Sequence, residues 1–198
     1  MLSNWTVISS KILSWLLIDK ASLEKFDSQG MHKVYDIWPE IAKESYFSKL
    51  SQIEYETCDH VVFAGMGGSG AIGDIFSAIL SKTSTHVTVV KGYHLPKTVT
   101  SDSVVVVTSI SGNTIETISM LKNAIKLNSK IIVFSDGGKM EEICKNEKIP
   151  HRRIKKYHSP RGSFTSFLYG MLHVLKPIIA IEEKDVMESI EKLENISK

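Results

Sequence analysis

The sequence predicts an α/β domain in which helices cover both faces of a doubly wound, five-stranded parallel sheet. From residue 60 onward, runs rich in valine and isoleucine appear with the length of buried strands. These runs do not alternate between apolar and polar residues, which indicates strands buried on both faces, as in parallel sheets. Helical patterns lie between most of the runs, and this strand–helix alternation is typical of a doubly wound fold.

The strands are predicted from the apolar runs, and their order follows the flavodoxin-like pattern 2-1-3-4-5. The runs are Val61–Gly65, Val87–Val90, Val104–Thr108 and Ile131–Ser135, with a weaker fifth run around Arg152–Lys155. Only the link between the second and third strands, Gly92 to Asp102, lacks a helical pattern.

Apolar stripes at helical spacing predict the helices of the domain. The three between strands are marked by Ile72, Ile75, Phe76 and Ile79; by Ile115, Ile118, Leu121 and Ile125; and by Met140, Ile143 and Cys144. After the sheet, Phe164 to Ile179 predicts a long apolar helix that stops near Pro177. The last segment predicts an amphipathic helix with Val186, Ile190 and Leu193 on one side.

The first 50 residues predict a helical flank that docks on the sheet domain. A first apolar set consists of Trp5, Ile8, Ile12, Trp15 and Leu16. A second apolar set, Met31 to Ile41, follows the turn at residues 27–30 and is expected to bend near Pro39. A membrane-surface or partner-binding helix is the alternative, and the aromatic residues of the flank favour it.

Composition and charge limit the possible classes of protein. The 198 residues carry 24 Lys and Arg against 22 Asp and Glu, which is too even for a global attraction to nucleic acid or an anionic membrane. Cys58 and Cys144 form no CxxC pair, and the apolar stretch at residues 7–18 is too short to span a bilayer. We therefore expect a cytoplasmic protein with no metal or cofactor. Its expected parts are a flank at 1–50, a central domain at 51–180 and a C-terminal helix at 181–198.

Five of the 12 glycines cluster in the stretch GMGGSGAIG at residues 65–73, between the first strand and the first helix of the sheet domain. Glycines allow a sharp turn and a close approach to a ligand, and a helix N-terminus suits an anion. A tight turn without a ligand is the alternative. The spacing also matches the dinucleotide pattern GxGxxG, but residues 90–94 lack the acidic residue which that pattern requires. A Walker A motif is excluded because Ala71 follows Gly70.

A second turn, SISGNTIET at residues 109–117, follows the third strand and carries three hydroxyl side chains, Ser109, Ser111 and Thr114. Ser111 or Thr114 could be simple helix caps. Strands one and three are neighbours in the predicted order, however, and ligands bind where the winding reverses between such strands. Both turns would therefore lie at one site, which predicts a phosphorylated small molecule as the ligand.

The segment at residues 151–161 contains five basic side chains and no acidic one. Nucleic-acid binding is one interpretation, although no recognised nucleic-acid-binding module is present. A solvated edge strand is the simpler one for most of these residues. Arg161 differs because it follows Pro160 in a turn after the last strand. From there its side chain could point into the ligand site predicted between the two turns.

Together these segments resemble the sugar isomerase (SIS) domain family, and within it the bifunctional phosphoglucose/phosphomannose isomerases. The matching stretches are GMGGSGAIGD (65–74), SISGNTIET (109–117), SPRGSF (159–164) and DSQGM (27–31). The resemblance runs from about residue 20 to residue 180 and implies an SIS fold. It also implies interconversion of glucose 6-phosphate or mannose 6-phosphate with fructose 6-phosphate through a cis-enediolate.

The resemblance further implies roles for individual residues. Arg161 would stabilise charge on the intermediate, and Ser69 would line the sugar together with the backbone of Gly67 and Gly68. The phosphate contacts would come from Ser109, Ser111 and Thr114.

The general base and the ring-opening histidine of that family lie in a second SIS half, which would begin near residues 165–185. We therefore expect this chain to act with a second SIS half or as a homodimer. A non-catalytic phosphosugar-binding module is the alternative, and a dinucleotide-binding domain is a lesser one. Four side chains of this chain could in principle replace the general base or the ring-opening histidine, although each is more simply explained as a solvated or structural side chain. They are Glu116, Glu182, Glu183 and His158.

Overall fold

A computed structural model describes residues 20–55 and 58–197. The first predicted helical set, around Trp5 and Trp15, lies outside these residues. None of the helices in the described ranges has the length and apolar character needed to cross a bilayer. The elements, in chain order, are α1 (Lys20–Phe26), α2 (His32–Asp36), α3 (Trp38–Tyr46), β1 (His60–Gly65), α4 (Gly67–Leu80), β2 (His86–Val90), β3 (Val104–Thr108), α5 (Ile115–Lys126), β4 (Lys130–Ser135), α6 (Gly138–Glu147), β5 (His151–Arg153), α7 (Phe164–Val174), a 3-10 turn (Lys176–Ile178) and α8 (Glu183–Ser197).

The five strands form one parallel sheet in the order β2-β1-β3-β4-β5, which confirms the predicted topology. All five residues of β3 are buried, as expected for a central strand covered on both faces. In the register between the two central strands, Val61 lies opposite Val104 and Gly65 lies opposite Thr108. The two strands therefore end side by side.

Two hydrophobic cores cover the two faces of the sheet. Phe63 points to one face, where its ring stacks on Phe76 of α4 with 5.1 Å between the ring centroids. Residues of α3, α7 and α8 complete this core. Val62, the neighbour of Phe63, belongs to the second core, which α5 and α6 cover through Met120 and Met140 among others.

The structure refines one expected feature of the helices and corrects another. The bend expected near Pro39 is present as a break between α2 and α3 at Ile37, and Pro39 lies in the first turn of α3, where its missing N–H needs no partner. The long helix expected to reach Ile179 ends at Val174, and Pro177 lies in the separate 3-10 turn that follows. Proline cannot continue the helical hydrogen-bond ladder, so the helix ends before it.

The second apolar set of the N-terminal flank docks on α7. Ile41 and Ala42 of α3 are buried, and the Tyr46 ring packs edge-on against His173 with centroids 6.0 Å apart. The indole N–H of Trp38 donates a hydrogen bond of 2.9 Å to the carbonyl oxygen of Gly162. The flank is thereby held next to the turn that carries Arg161.

A histidine pair, His60 and His86, lies at the amino edge of the sheet. The His60 ring contacts the hydroxyls of Ser103 (3.1 Å) and Thr88 (3.0 Å), and its centroid lies 4.8 Å from that of His86. Burial lowers the pKa of His60, and the nearby His86 lowers it further. Burial also lowers the pKa of His151.

We expect the free energy of unfolding to decrease as the pH falls below about 6.5, the ordinary pKa of histidine. In that range the unfolded chain binds more protons than the folded chain, so protonation favours unfolding. Urea titrations between pH 5 and 8 measure this slope. His60→Gln should reduce the slope, and His94→Gln, in an exposed loop, should leave it as in the wild type. Equal slopes for His60→Gln and the wild type would contradict the assignment.

Candidate functional site at the carboxyl edge of the sheet

The turns after β1 and β3 meet at a cavity of about 320 Å³. They begin side by side because Gly65 and Thr108 are paired in the sheet. Their position is where the strand order reverses, the usual ligand site of an open α/β sheet. The cavity is lined by Tyr35, Trp38, Met66, Gly68, Ser69, Ile110, Ser111, Thr114, Pro160, Arg161 and Phe164.

The turn after β1 presents the N-terminus of α4 to this cavity. Met66 is extended and Gly67 has a φ of +52°, a left-handed conformation that glycine adopts without strain. The chain therefore passes from the strand into the helix within two residues, and Gly68 and Ser69 of the first helical turn line the cavity. The first N–H groups of a helix have no intrahelical partner, and the helix dipole makes this end partly positive.

The turn after β3 contributes hydroxyl groups from side chains that do not cap the helix. Thr114 occupies the N-cap position of α5, yet its side chain makes no capping hydrogen bond. Its hydroxyl instead lies 3.0 Å from that of Ser109. Ser111 is exposed, and its hydroxyl accepts only a long hydrogen bond of 3.3 Å from the N–H of Asn113. Capping therefore does not explain why Thr114 is present.

Contacts with the loop after β4 hold the second turn in place. Gly112 has a φ of +68°, and a Cβ atom there would overlap the carbonyl oxygen of Gly137. The amide side chain of Asn113 donates to the Ser111 carbonyl oxygen (3.1 Å) and accepts from the Lys139 N–H (3.0 Å). The backbone of this turn is thus fixed from two sides.

The turn after β5 places Arg161 beside the cavity. Its conformation is maintained by Ser163, whose hydroxyl accepts from the Tyr157 N–H (2.8 Å) and donates to the Ser159 carbonyl oxygen (2.7 Å). Arg161 itself is exposed, and none of the ion pairs found in residues 20–55 and 58–197 involves it. Among the described residues that line the cavity, its guanidinium is the one ionised group and no carboxylate is present.

Most residues that the sequence singled out for binding lie at this cavity. Gly68, Ser69, Ser111, Thr114 and Arg161 line it directly. Gly67 adjoins it as the first residue of α4, and Ser109 lies beneath it, 2% exposed and in contact with Thr114.

The acidic and imidazole groups considered as substitutes for a catalytic base do not line the cavity. Glu182 and Glu183 are exposed, with Lys184 at 3.7 Å and Lys176 at 3.8 Å respectively. His158 is held 3.1 Å from the carbonyl oxygen of Gln29. Glu116 is partly exposed on α5.

Sequence reasoning missed the aromatic residues that line the cavity, namely Tyr35, Trp38 and Phe164. Tyr35 and Trp38 belong to the flank, which the sequence predicts only to pack against the sheet domain. Their spacing of three residues along a helical pattern was the available signal, but only the packing of the flank against Gly162 shows where they lie.

The end of β2 disfavours a dinucleotide ligand. Lys91 stands where an acidic residue would hold a ribose, and its ammonium group lies 2.6 Å from Asp74. Its side chain also covers Gly70, where a Cβ atom would meet it at 2.9 Å.

The parallel sheet and the two turns that meet at its carboxyl edge define a doubly wound α/β domain whose candidate site has the chemistry to hold an anion. The family model of the SIS domain matches residues 54–171, and the chain belongs to this family.

Curated relatives and solved structures agree with this membership. The chain is 35% identical over 143 residues to the bifunctional phosphoglucose/phosphomannose isomerase of Aquifex aeolicus, covering 70% of this chain and 45% of the relative. It is 30% identical over 140 residues to the D-glucosamine-6-phosphate 4-epimerase of Sulfolobus acidocaldarius, covering 70% and 42%. The structure of tagatose-6-phosphate ketose/aldose isomerase from Escherichia coli shares the fold with a TM-score of 0.57 at 15% identity, covering 85% and 54%. The chain thus spans about half the length of the curated relatives it matches.

We expect Gly112→Ala to lower the free energy of unfolding by about 2–4 kcal/mol, since it combines left-handed strain with a backbone overlap. Urea denaturation measures this loss. Gly92→Ala is the matched control: nothing lies within 4 Å of a Cβ atom at that position. A Gly112→Ala variant as stable as the control would show that the contact with Gly137 does not constrain the turn.

Proposed function

We propose that the chain binds a hexose 6-phosphate in this cavity and supplies the phosphate-binding part of an aldose–ketose isomerase. The reaction would interconvert glucose 6-phosphate or mannose 6-phosphate with fructose 6-phosphate through a cis-enediolate. The observation that carries the proposal is the convergence of hydroxyl groups and two helix N-termini on a cavity lined by Arg161 and, among the described residues, by no carboxylate.

The chemistry of these groups suits a phosphate monoester. Such a group carries a charge of about −1.5 to −2 and three acceptor oxygens. Ser111 and Thr114 can donate two hydroxyl hydrogen bonds, and the free N–H groups of α5 and α4 can supply more. The exposed guanidinium of Arg161 adds positive charge without a competing partner among the described residues.

The names of the relatives support a sugar phosphate as the shared ligand. One is named an isomerase of phosphoglucose and phosphomannose, and another a 4-epimerase of D-glucosamine 6-phosphate. These reactions act at different carbon atoms, whereas both substrates are phosphorylated hexoses. The part of the site shared with such proteins would therefore be the phosphate-binding part, which we call the phosphate cradle: Ser111, Thr114 and the N-termini of α4 and α5.

Isomerisation also requires a group that removes the proton from carbon and a cation near the developing oxyanion. Arg161 would be the cation. No carboxylate or imidazole of the described residues lines the cavity, and the proposal therefore assigns the base to another part of the assembly. A second SIS half or the partner in a homodimer would supply it. The same observation favours the second candidate function, a phosphosugar-binding module without catalysis.

Ser111→Ala should weaken the binding of glucose 6-phosphate by about 10- to 100-fold, the usual cost of losing a hydrogen bond to a charged group. Isothermal calorimetry with glucose 6-phosphate, and with glucose as the unphosphorylated comparison, measures this. Ser119→Ala on α5, the helix that follows this turn, is the control because Ser119 does not line the cavity. If the wild-type chain bound neither ligand, or bound both equally, the phosphate site would be refuted.

A coupled assay of fructose 6-phosphate conversion separates the two candidate functions. If the chain assembles a complete site, Arg161→Ala should lower kcat/KM by about 100-fold, since it removes a stabilising charge from the transition state. Sedimentation of the same sample reports whether activity accompanies a dimer. Binding without turnover at any protein concentration would leave the binding module and reject the isomerase for this chain alone.

A further inference from the structure

The cavity is lined by two chemically different sets of side chains. Ser69, Ser111 and Thr114 come from the turns of the sheet and are polar. Tyr35, Trp38 and Phe164 are aromatic, and the first two belong to the helical flank rather than to the sheet. The phosphate cradle uses hydroxyls of the polar set and backbone N–H groups, and Arg161 adds positive charge, which leaves the aromatic set without a role in anion binding.

The aromatic pair from the flank is held in one orientation, and we call it the Tyr35–Trp38 wall. The Trp38 indole is fixed by its 2.9 Å hydrogen bond to Gly162, the residue after Arg161. The Tyr35 ring packs edge-on against it, with centroids 4.6 Å apart and an angle of 82° between the ring planes. Both side chains are only partly buried, so some of their surface remains in contact with the cavity.

The size of the cavity leaves room for more than a phosphate group. Small-molecule sites usually enclose about 300–1,000 Å³, and this cavity lies at the lower end of that range. Inorganic phosphate at the hydroxyl-lined turns would therefore leave the aromatic surface in contact with water. A ligand that also covers this surface gains from removing it from water.

We propose that the Tyr35–Trp38 wall receives the C–H face of a sugar ring, so that the site selects cyclic sugar phosphates over open-chain polyol phosphates. A pyranose carries its hydroxyls around the edge and exposes C–H groups on its faces, whereas an open-chain polyol has no persistent apolar face. Aromatic rings are the side chains that combine a large flat apolar surface with little loss of conformational freedom. This inference rests on the proposed function, because it assumes that the phosphate is bound at Ser111 and Thr114.

The wall lies outside the part of the chain that the SIS family model matches, which begins at residue 54. The selection for ring form would therefore come from the flank, while the matched segment supplies the phosphate cradle. The two contributions can be separated by experiment because they bind different parts of one ligand.

The test compares three ligands by calorimetry. Inorganic phosphate reports on the cradle alone, 1,5-anhydroglucitol 6-phosphate is locked as a ring, and sorbitol 6-phosphate is the open-chain counterpart. The wild-type chain should prefer the ring-locked ligand. Trp38→Ala should weaken its binding by about tenfold, reduce the preference accordingly and leave phosphate binding unchanged. Trp38→Phe keeps an aromatic surface and should retain most of the preference.

Tyr35→Ala, with Tyr35→Phe as its control, repeats the test on the second ring if Trp38→Ala fails to fold. Equal losses for all three ligands would show that Trp38 acts through Gly162 and the Arg161 turn, and would overturn the inference. A ring preference that persists in both alanine variants, or that is absent in the wild type, would also overturn it. If the wild type bound no phosphorylated ligand, the proposed function would fail together with the inference.

Intrinsic fluorescence gives an independent readout. The chain has 3 tryptophans, and replacing Trp5 and Trp15 by phenylalanine leaves Trp38 as the one tryptophan, whose emission is followed under selective tryptophan excitation. The ring-locked ligand should change its emission at saturation, and inorganic phosphate should not. Identical responses to both ligands would contradict a contact between the indole and the sugar ring.

Discussion

The pairing of β1 with β3 is the constraint on which the site depends. Neighbouring strands in a sheet lie about 4.8 Å apart, and the register that places Gly65 opposite Thr108 brings the two serine-containing turns to the same level. A shift of one residue would reverse which side chains face each core. The continuous burial of β3 on both faces therefore fixes the position of the candidate site as well as stabilising the sheet.

The backbone of the turn after β3 is held by close contacts with the segment that follows β4. Gly112 approaches Gly137 too closely for any side chain, and Asn113 links its own turn to the start of α6. Donors that are already oriented need no reorganisation when an anion binds, which is the basis of electrostatic preorganisation. The free energy needed to orient these groups is supplied when the sheet domain folds.

Much of the fold can be predicted from local patterns, because the strands and helices of the sheet domain each have a clear apolar period. The run Val104–Thr108 matches β3 as predicted, and the strand order follows. The helix ends were harder: the break in the flank falls at Ile37, before Pro39, and the helix expected to reach Ile179 already ends at Val174. The polar half of the candidate site was predictable from its serines and glycines. The aromatic half was not, since Trp38 reaches the cavity only through a contact with Gly162, 124 positions away in the sequence.

The two halves of the cavity differ in how freely their residues can change. The cradle depends on backbone geometry at Gly67 and Gly112, where left-handed φ angles penalise any side chain. Tyr35 and Trp38 sit on short helices docked at the surface, where a different side chain would alter the wall without disturbing the sheet. Under the proposed function, the phosphate-binding turns would therefore be the part of the site that tolerates least change, and the flank would be the part where a substitution can alter which sugar is accepted.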